Sequence, residues 1–484
     1  MATPSAYEDS HLSRWLRVRE FAVPPSMIET ATTRRQAEDW AGACAAAHVD
    51  VDLDLRASAR IHGTERAALV RADLRRLAPD LLRWHMPRIA PDGLLRPGLT
   101  VALARYGTGG DDGAGPLCLV ARTAPAWADS GQRISLALWD RSRSDAGPAP
   151  SPPHPHPHPH PRFRLDLHRH LWDASRSAEL RTRSGADGPS VAPPGPDLPW
   201  HGLPCAVDRW ADEAAILLRA EGRPAGPVSV RLGRGHRLLL DADPSQDPGR
   251  PPATAALRSE SARHGSARVP VLPDAATWLP PDLELLRAGL VEAGRLHPLV
   301  AAALVPGHVP TGPSLPPDRA GAPRLVACRG AVHRIGLVDG VLTPLDHDPA
   351  ELRREELLVA LTGTALPCVR AVDEAHRRPD CLRGVRERLD HGDVAGALAV
   401  VEGLLGPAAL LRDGALRDAL EAAAERRVTY GLYRAGLIGP APGRPLAPPS
   451  SPPTRGTRPD SRRVSARGAR PRHATSAFPN SSPR

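Results

Sequence analysis

The 484-residue chain contains no lysine. All 63 of its basic residues are arginine, set against 54 acids, for a net charge of +9. Asparagine occurs once, at Asn480, and there are only three Phe, four Tyr and three Met. Residues with AT-rich codons are scarce while Ala, Arg, Gly and Pro abound, which is the imprint of a GC-rich genome such as that of a high-GC bacterium. The absent lysine excludes several chemistries. A phosphate-binding P-loop uses a lysine to reach the β/γ-phosphates, and a protein kinase uses one on the α/β-phosphates. Pyridoxal-phosphate enzymes and Schiff-base aldolases need an amine nucleophile. Arginine cannot stand in for it, because its guanidinium stays protonated at any working pH.

Close-set cysteines are also missing. Cys44, Cys118, Cys205, Cys328, Cys368 and Cys381 include no Cys-x-x-Cys, and the nearest two are 13 apart, whereas a structural zinc site draws its ligands from tight pairs. No run of 18 apolar residues is present to span a membrane. The first ten residues lack the apolar core of a signal peptide. A cytoplasmic location with reduced thiols is therefore expected, with no membrane partner.

Apolar content is ordinary, so real cores are expected. Proline is the excess: 56 of 484 residues, about 12 % against a usual 5 %. Its clustering divides the chain. Residues 1–145 read as helices followed by a sheet. Ser26 and Glu29 have the spacing of a capping box. A second helix starts near Asp39, and a third runs from Thr64 to Leu82 with Pro79 breaking or kinking it. Leu99, Val101 and Leu103, then Leu117–Val120, then Ile134, Leu136 and Leu138 have the period of a three-strand meander. The glycine-rich loop at 107–115 joins two strands and reads as a hairpin loop.

Residues 146–162 are a Pro/His linker. Its strict Pro-His alternation from Pro153 to Pro161 imposes polyproline II, a semi-rigid spacer whose histidines point about 120° apart. Residues 163–242 form a small α+β segment, with a helical stripe of Val207, Trp210, Ala211, Ala214, Leu217 and Leu218 ahead of a hairpin. Residues 243–270 are a polar linker. Residues 271–440 hold helices, a meander over Leu325–Thr343, a helix capped by Asp348 with Pro349 at its first position, and C-terminal helices to Gly436. Residues 441–484 have nine arginines, one acid, and much Pro and Ser, the composition of a disordered tail. Removing the tail leaves 54 arginines against 53 acids, a nearly neutral body. The fold class expected is α+β, two or three small domains tied by Pro-rich linkers.

Two strings echo each other. Asp39-Trp40-Ala41-Gly42-Ala43 matches Asp393-Val394-Ala395-Gly396-Ala397, a capping Asp before a small-residue helix. The pattern resembles the opening helix of tetratricopeptide-like hairpins. The copies lie 354 residues apart, so they read as two separate helical hairpins and not a solenoid.

Leu165-Asp166-Leu167-His168-Arg169-His170-Leu171 resembles the first-strand His-x-His of the adenosine deaminase and amidohydrolase families. The resemblance implies a strand placing His168 and His170 on one face, holding a Zn²⁺ that activates water in a TIM barrel. The chain lacks that family's His-Ala-Gly-Glu element. Asp373-Glu374-Ala375-His376 spells the helicase DEAH box without any P-loop, and reads as a solvated helix segment ended by Pro379. Asp346-His347-Asp348 and Asp390-His391-Gly392-Asp393 resemble His-Asp phosphohydrolase dyads, but Asp348 and Asp393 already serve as caps. The tail arginines, Arg462, Arg463, Arg467, Arg470 and Arg472 among them, form a candidate anion or nucleic-acid contact with a steep salt dependence.

The expected function is that of an interaction or regulatory protein without its own catalytic site or cofactor, docking a protein partner through helical hairpins. The alternatives are a metal-dependent hydrolase using His168 and His170, and a nucleic-acid or anion binder using the tail.

Overall fold

The computed structural model describes residues 4–107, 116–129, 131–140, 154–188, 205–233, 237–242, 258–259, 269–308, 324–328, 331–338, 341–344, 346–348, 350–351, 353–354, 367, 380–405 and 414–438. The DEAH string at 373–376, the turns of the meander after residue 324, most of the glycine-rich loop, most of the 243–270 linker and the arginine tail lie outside them.

The chain opens with helix α1 (Pro4–Phe21), α2 (Pro25–Gln36) and α3 (Trp40–Ala46). Pro24 is the N-cap of α2, and no side chain caps it. The Ser26/Glu29 capping box is thus not formed, because Pro25 already supplies the fixed φ of a first helical turn. Next comes β1 (Val49–Asp52), a strand missed in the sequence although Val49-Asp50-Val51-Asp52-Leu53 alternates with period two. Helices α4 (Leu55–His62), α5 (Thr64–Arg76) and α6 (Pro79–His85) follow. Pro79 breaks the long apolar pattern as expected. The residue before it, Ala78, is driven to an extended conformation, so a new helix starts instead of a kink.

The meander forms as read: β2 (Thr100–Tyr106), β3 (Leu117–Thr123) and β4 (Ile134–Asp140). β1 adds to it in parallel beside β4, giving the order β1-β4-β3-β2. One face of this sheet carries Leu117, Leu119, Leu136 and Val49 into the main core. The other carries Cys118, Val120, Ala137 and Trp139.

Helix α6 is the centre of the molecule. Its residues Pro79, Asp80, Leu81, Leu82, Arg83 and Trp84 are all buried, the all-round burial of an interior helix. Trp84 and Trp172 are fully buried in the same core. Each removes enough apolar surface to contribute about 4–6 kcal/mol. Both charges on α6 have internal partners, although Asp80 Oδ1 is buried without one of its own. His297 Nε2 lies 2.9 Å from Asp80 Oδ2. Arg83 donates to three backbone carbonyls, at Ala22 (2.9 Å), Gln132 and His391 (2.7 Å). With no carboxylate bonded to it, burial pushes this guanidinium down to about 10, and Arg133 adds to the effect.

The Pro/His run, described from His154 onward, packs along the sheet. His154 Nε2 is 2.9 Å from the Thr123 carbonyl, Thr100 Oγ1 donates to the His156 carbonyl at 2.6 Å, and His158 meets Trp139 edge-on at 5.7 Å. The His160 and Asp166 amides donate to the Thr100 and Ala102 carbonyls on the outer edge of β2.

Beyond it lie α7 (Leu180–Arg183), α8 (Trp210–Ala220), the expected hairpin β5 (Gly226–Arg231) and β6 (Arg237–Ala242), a short β7 (Arg258–Ser259), α9 (Asp274–Thr277), α10 (Pro281–Arg287) and α11 (Pro298–Leu304). α8 and the hairpin close a second core around Trp210, Leu217, Val228 and Val230. The main core takes side chains from Val18 to Leu304, so segments 1–145, 163–242 and 271–440 all contribute to it. The second meander, β8 (Arg324–Cys328), β9 (Ala331–Val338) and β10 (Val341–Pro344), has the order β10-β9-β8. Three helices end the fold: α12 (Asp380–His391), α13 (Val394–Leu405) and α14 (Ala415–Arg434). They share a core of Val385, Leu389, Ala397, Val401 and Ala423. The architecture is α+β. Among the described residues no helix is long and apolar enough to cross a membrane.

Candidate functional site

His168 and His170 are not on a strand. Arg164 makes only an isolated bridge to Ala102, after which the backbone turns: Arg169–Leu171 is a 3-10 turn with His168 at its N-cap. The turn wins over a strand because Trp172 Nε1 donates to the Leu165 carbonyl (3.0 Å) and His168 Nδ1 lies 3.0 Å from the Arg164 carbonyl, closing the chain on itself. Both rings are buried, with centroids 5.8 Å apart.

His168 Nε2 lies 3.2 Å from Glu213 Oε2. Both its nitrogens thus face oxygen acceptors, the arrangement of an imidazole that donates and not one that offers a lone pair to a metal. Arg183 makes a bidentate bond to the same Glu213. Burial would raise the Glu213 carboxyl, but hydrogen bonds from His168 and Arg183 outweigh it and hold the group down to about 2. His170 is pushed well below the ordinary histidine range, first by burial and then by the charges of His168 and Arg183. Its Nδ1 is buried without a hydrogen-bond partner. Among the described residues, no group of three or more His, Cys, Asp or Glu side chains is arranged to hold an ion. Glu213, the charge that organises this cluster, was invisible in the sequence because it lies 43 residues beyond His170 on α8.

The three described thiols are also quiet. Burial pushes the Cys44 and Cys205 thiols up to about 12 and Cys118 up to about 11, far from the thiolate that would react. Asp348 accepts from the Ala350 amide at 3.0 Å.

The two echoed hairpins have the same geometry. Asp39 Oδ1 accepts from the Gly42 amide at 2.8 Å, and Asp393 Oδ1 from the Gly396 amide at 2.9 Å. Each cap is braced by the arginine five residues before it: Arg34 on Asp39 (3.2 Å) and Arg388 on Asp393 (2.8 Å). The residue before each Asp, Glu38 and Gly392, has positive φ, at 59° and 88°. The bracing arginine and the left-handed residue belong to the repeat but were not legible in the Asp-x-Ala-Gly-Ala match alone.

The copies differ in what covers them. α3 packs against β1 and α6. Cys44 on α3 is 1 % exposed, whereas Leu398 at the equivalent place on α13 is 42 % exposed. On α14, Val428 and Leu432 are exposed as well, with Leu437 just past its end. The inward side of α14 is held to β1. Tyr430 donates to Asp50 Oδ2 at 2.5 Å, and Arg434 pairs with both oxygens of Asp52. The arginines of the tail, from Arg462 to Arg472, lie outside the described residues. The chain matches no protein-family model, no curated protein and no solved structure.

Proposed function

We propose that this chain is a non-enzymatic interaction protein that docks a helix of a protein partner on the outward face of α13. The observation that carries the reading is the contrast between Cys44 and Leu398. The same capped hairpin occurs twice, and the first copy closes its small-residue face with the chain's own helix α6. The second packs against α12 and touches β9 and β10, yet leaves a leucine at that place 42 % exposed. Small residues let helices approach closely, so the exposed side of the second copy, where Leu398 stands, suits an apolar helix supplied in trans. Among the described residues, the His168 ring, the Cys44, Cys118 and Cys205 thiols and the capping aspartates have structural partners or are held in unreactive forms, which supports binding over chemistry.

The test uses the full chain with a photo-crosslinking residue at the neighbouring exposed position 395, exposed to extract from the native cell. A stoichiometric partner crosslinked through a helical peptide, and lost in the Leu398→Asp variant without any change in melting temperature, supports the reading. Capture that is unaffected by Leu398→Asp, or no stoichiometric partner, defeats it.

A further inference from the structure

A cleft lies where α14 meets the outer face of the four-stranded sheet. It is a small cleft open to solvent, and its polar lining includes Asp52, Arg122, Ser135, Tyr433 and Arg434. We propose that this cleft binds a small organic carboxylate.

The argument rests on which of these groups are already engaged. Arg122 and Ser135 are register partners on β3 and β4, so both side chains leave the same face of the sheet. Tyr433 arrives from α14, its ring edge-on to Trp127 at 5.4 Å. Arg434 is committed to Asp52 through both carboxylate oxygens. That pair is neutral. Arg122 has neither hydrogen bond nor ion pair among the described residues, and its Nε is buried without a partner. The Ser135 and Tyr433 hydroxyls likewise have no hydrogen-bond partner there. His154 also lines the cleft, but its Nε2 is used on the Thr123 carbonyl and its Nδ1 accepts the His156 amide, so it acts as wall.

What remains is one guanidinium with no hydrogen bond or ion pair among the described residues, its charge offset only at longer range by Asp52, beside two free hydroxyls. A half-buried cation without a partner is costly, and a ligand that neutralises it regains that cost. The excess is a single positive charge, which a carboxylate matches. A phosphate dianion would bring a second negative charge against Asp52. The two oxygens of a carboxylate also fit the planar guanidinium fork, leaving lone pairs for the Ser135 and Tyr433 hydroxyls.

Thermal melts of the full chain at fixed pH and ionic strength, in sodium propionate, sodium phosphate or sodium chloride, test this. Propionate is expected to raise the Tm saturably, by roughly 2–4 °C near saturation. Arg122→Gln should abolish that rise. Tyr433→Phe should move it to several-fold higher propionate, and this second variant decides the matter if Arg122→Gln does not fold. No propionate-specific rise, an equal rise in either variant, or an equal or larger rise in phosphate would overturn the proposal.

Discussion

Gly392 and Gly131 touch backbone to backbone. A Cβ placed on Gly392 would lie 2.8 Å from the Gly131 Cα and closer still to its carbonyl, and Gly392 has a φ of 88°. This contact seats the second hairpin against the loop before β4, beside the point where Arg83 reaches the His391 carbonyl. Gly392→Ala therefore meets both a left-handed backbone and a collision that no side-chain rotation relieves. It is expected to cost roughly 2–4 kcal/mol by combining αL strain with overpacking. Chemical denaturation should show the loss, and limited proteolysis should cut first within α12–α13.

The two hairpin caps should behave as equivalents. Asp39→Ala and Asp393→Ala each remove one cap bond and one arginine brace, a loss of about 0.5–2 kcal/mol apiece. The sites are far apart in sequence and share no partner, so the double variant should show the sum. Urea midpoints of the three variants measure this, and strong non-additivity would show that the hairpins are coupled.

Acid should unfold this protein early. Burial is the leading cause that pushes His48 and His391 down to about 3 and His85 down to about 4, from an ordinary 6.5. Between those values the unfolded chain binds protons that the fold refuses, so stability falls as pH falls, by at most about 1.4 kcal/mol per pH unit for each ring. Asp129 opposes them. Burial holds its carboxyl up to about 6, so from there down to its ordinary 3.8 the fold gains stability with acid, offsetting one ring of the three. Urea midpoints at pH 7.5, 6 and 5 should drop steadily. His48→Asn should flatten that drop, since asparagine tolerates the positive φ of 57° at this position.

The thiols give a third kind of check. With Cys44, Cys118 and Cys205 held at about 11–12, alkylation at pH 7.4 should leave their peptides unmodified in the native protein and label them fully in denaturant. Mass spectrometry of the digests distinguishes the two states.

Period-two and capping signals carried much of the fold. The β2–β4 meander, the β5–β6 hairpin, the break at Pro79 and both Asp caps were legible because each depends on residues within a few positions of one another. β1 was overlooked although its Val-Asp alternation was present. Four residues between helices are a weak signal, and the strand is fixed by pairing with β4, more than 80 residues later. The His168/His170 site misled for the same reason. Its spacing is that of ligands on a strand, but local bonds to the Arg164 and Leu165 carbonyls turn the chain, and the charge that engages His168 comes from α8. Interior ion pairs such as Arg19 with Asp282, 263 residues apart, leave no local trace at all.

The Pro-His run along β2 has a consequence beyond packing. β2 is the outermost strand of the sheet, and an open row of amides and carbonyls there would invite another chain to extend it into an aggregate. The run takes up the Thr100 carbonyl itself, and every second residue from Pro153 to Pro161 lacks an N–H to pass on. A stretch whose composition suggests mere spacing thereby ends the ladder. Replacing its prolines with alanine would leave the sheet folded but adhesive, so that a solubility problem would be the first symptom of the change.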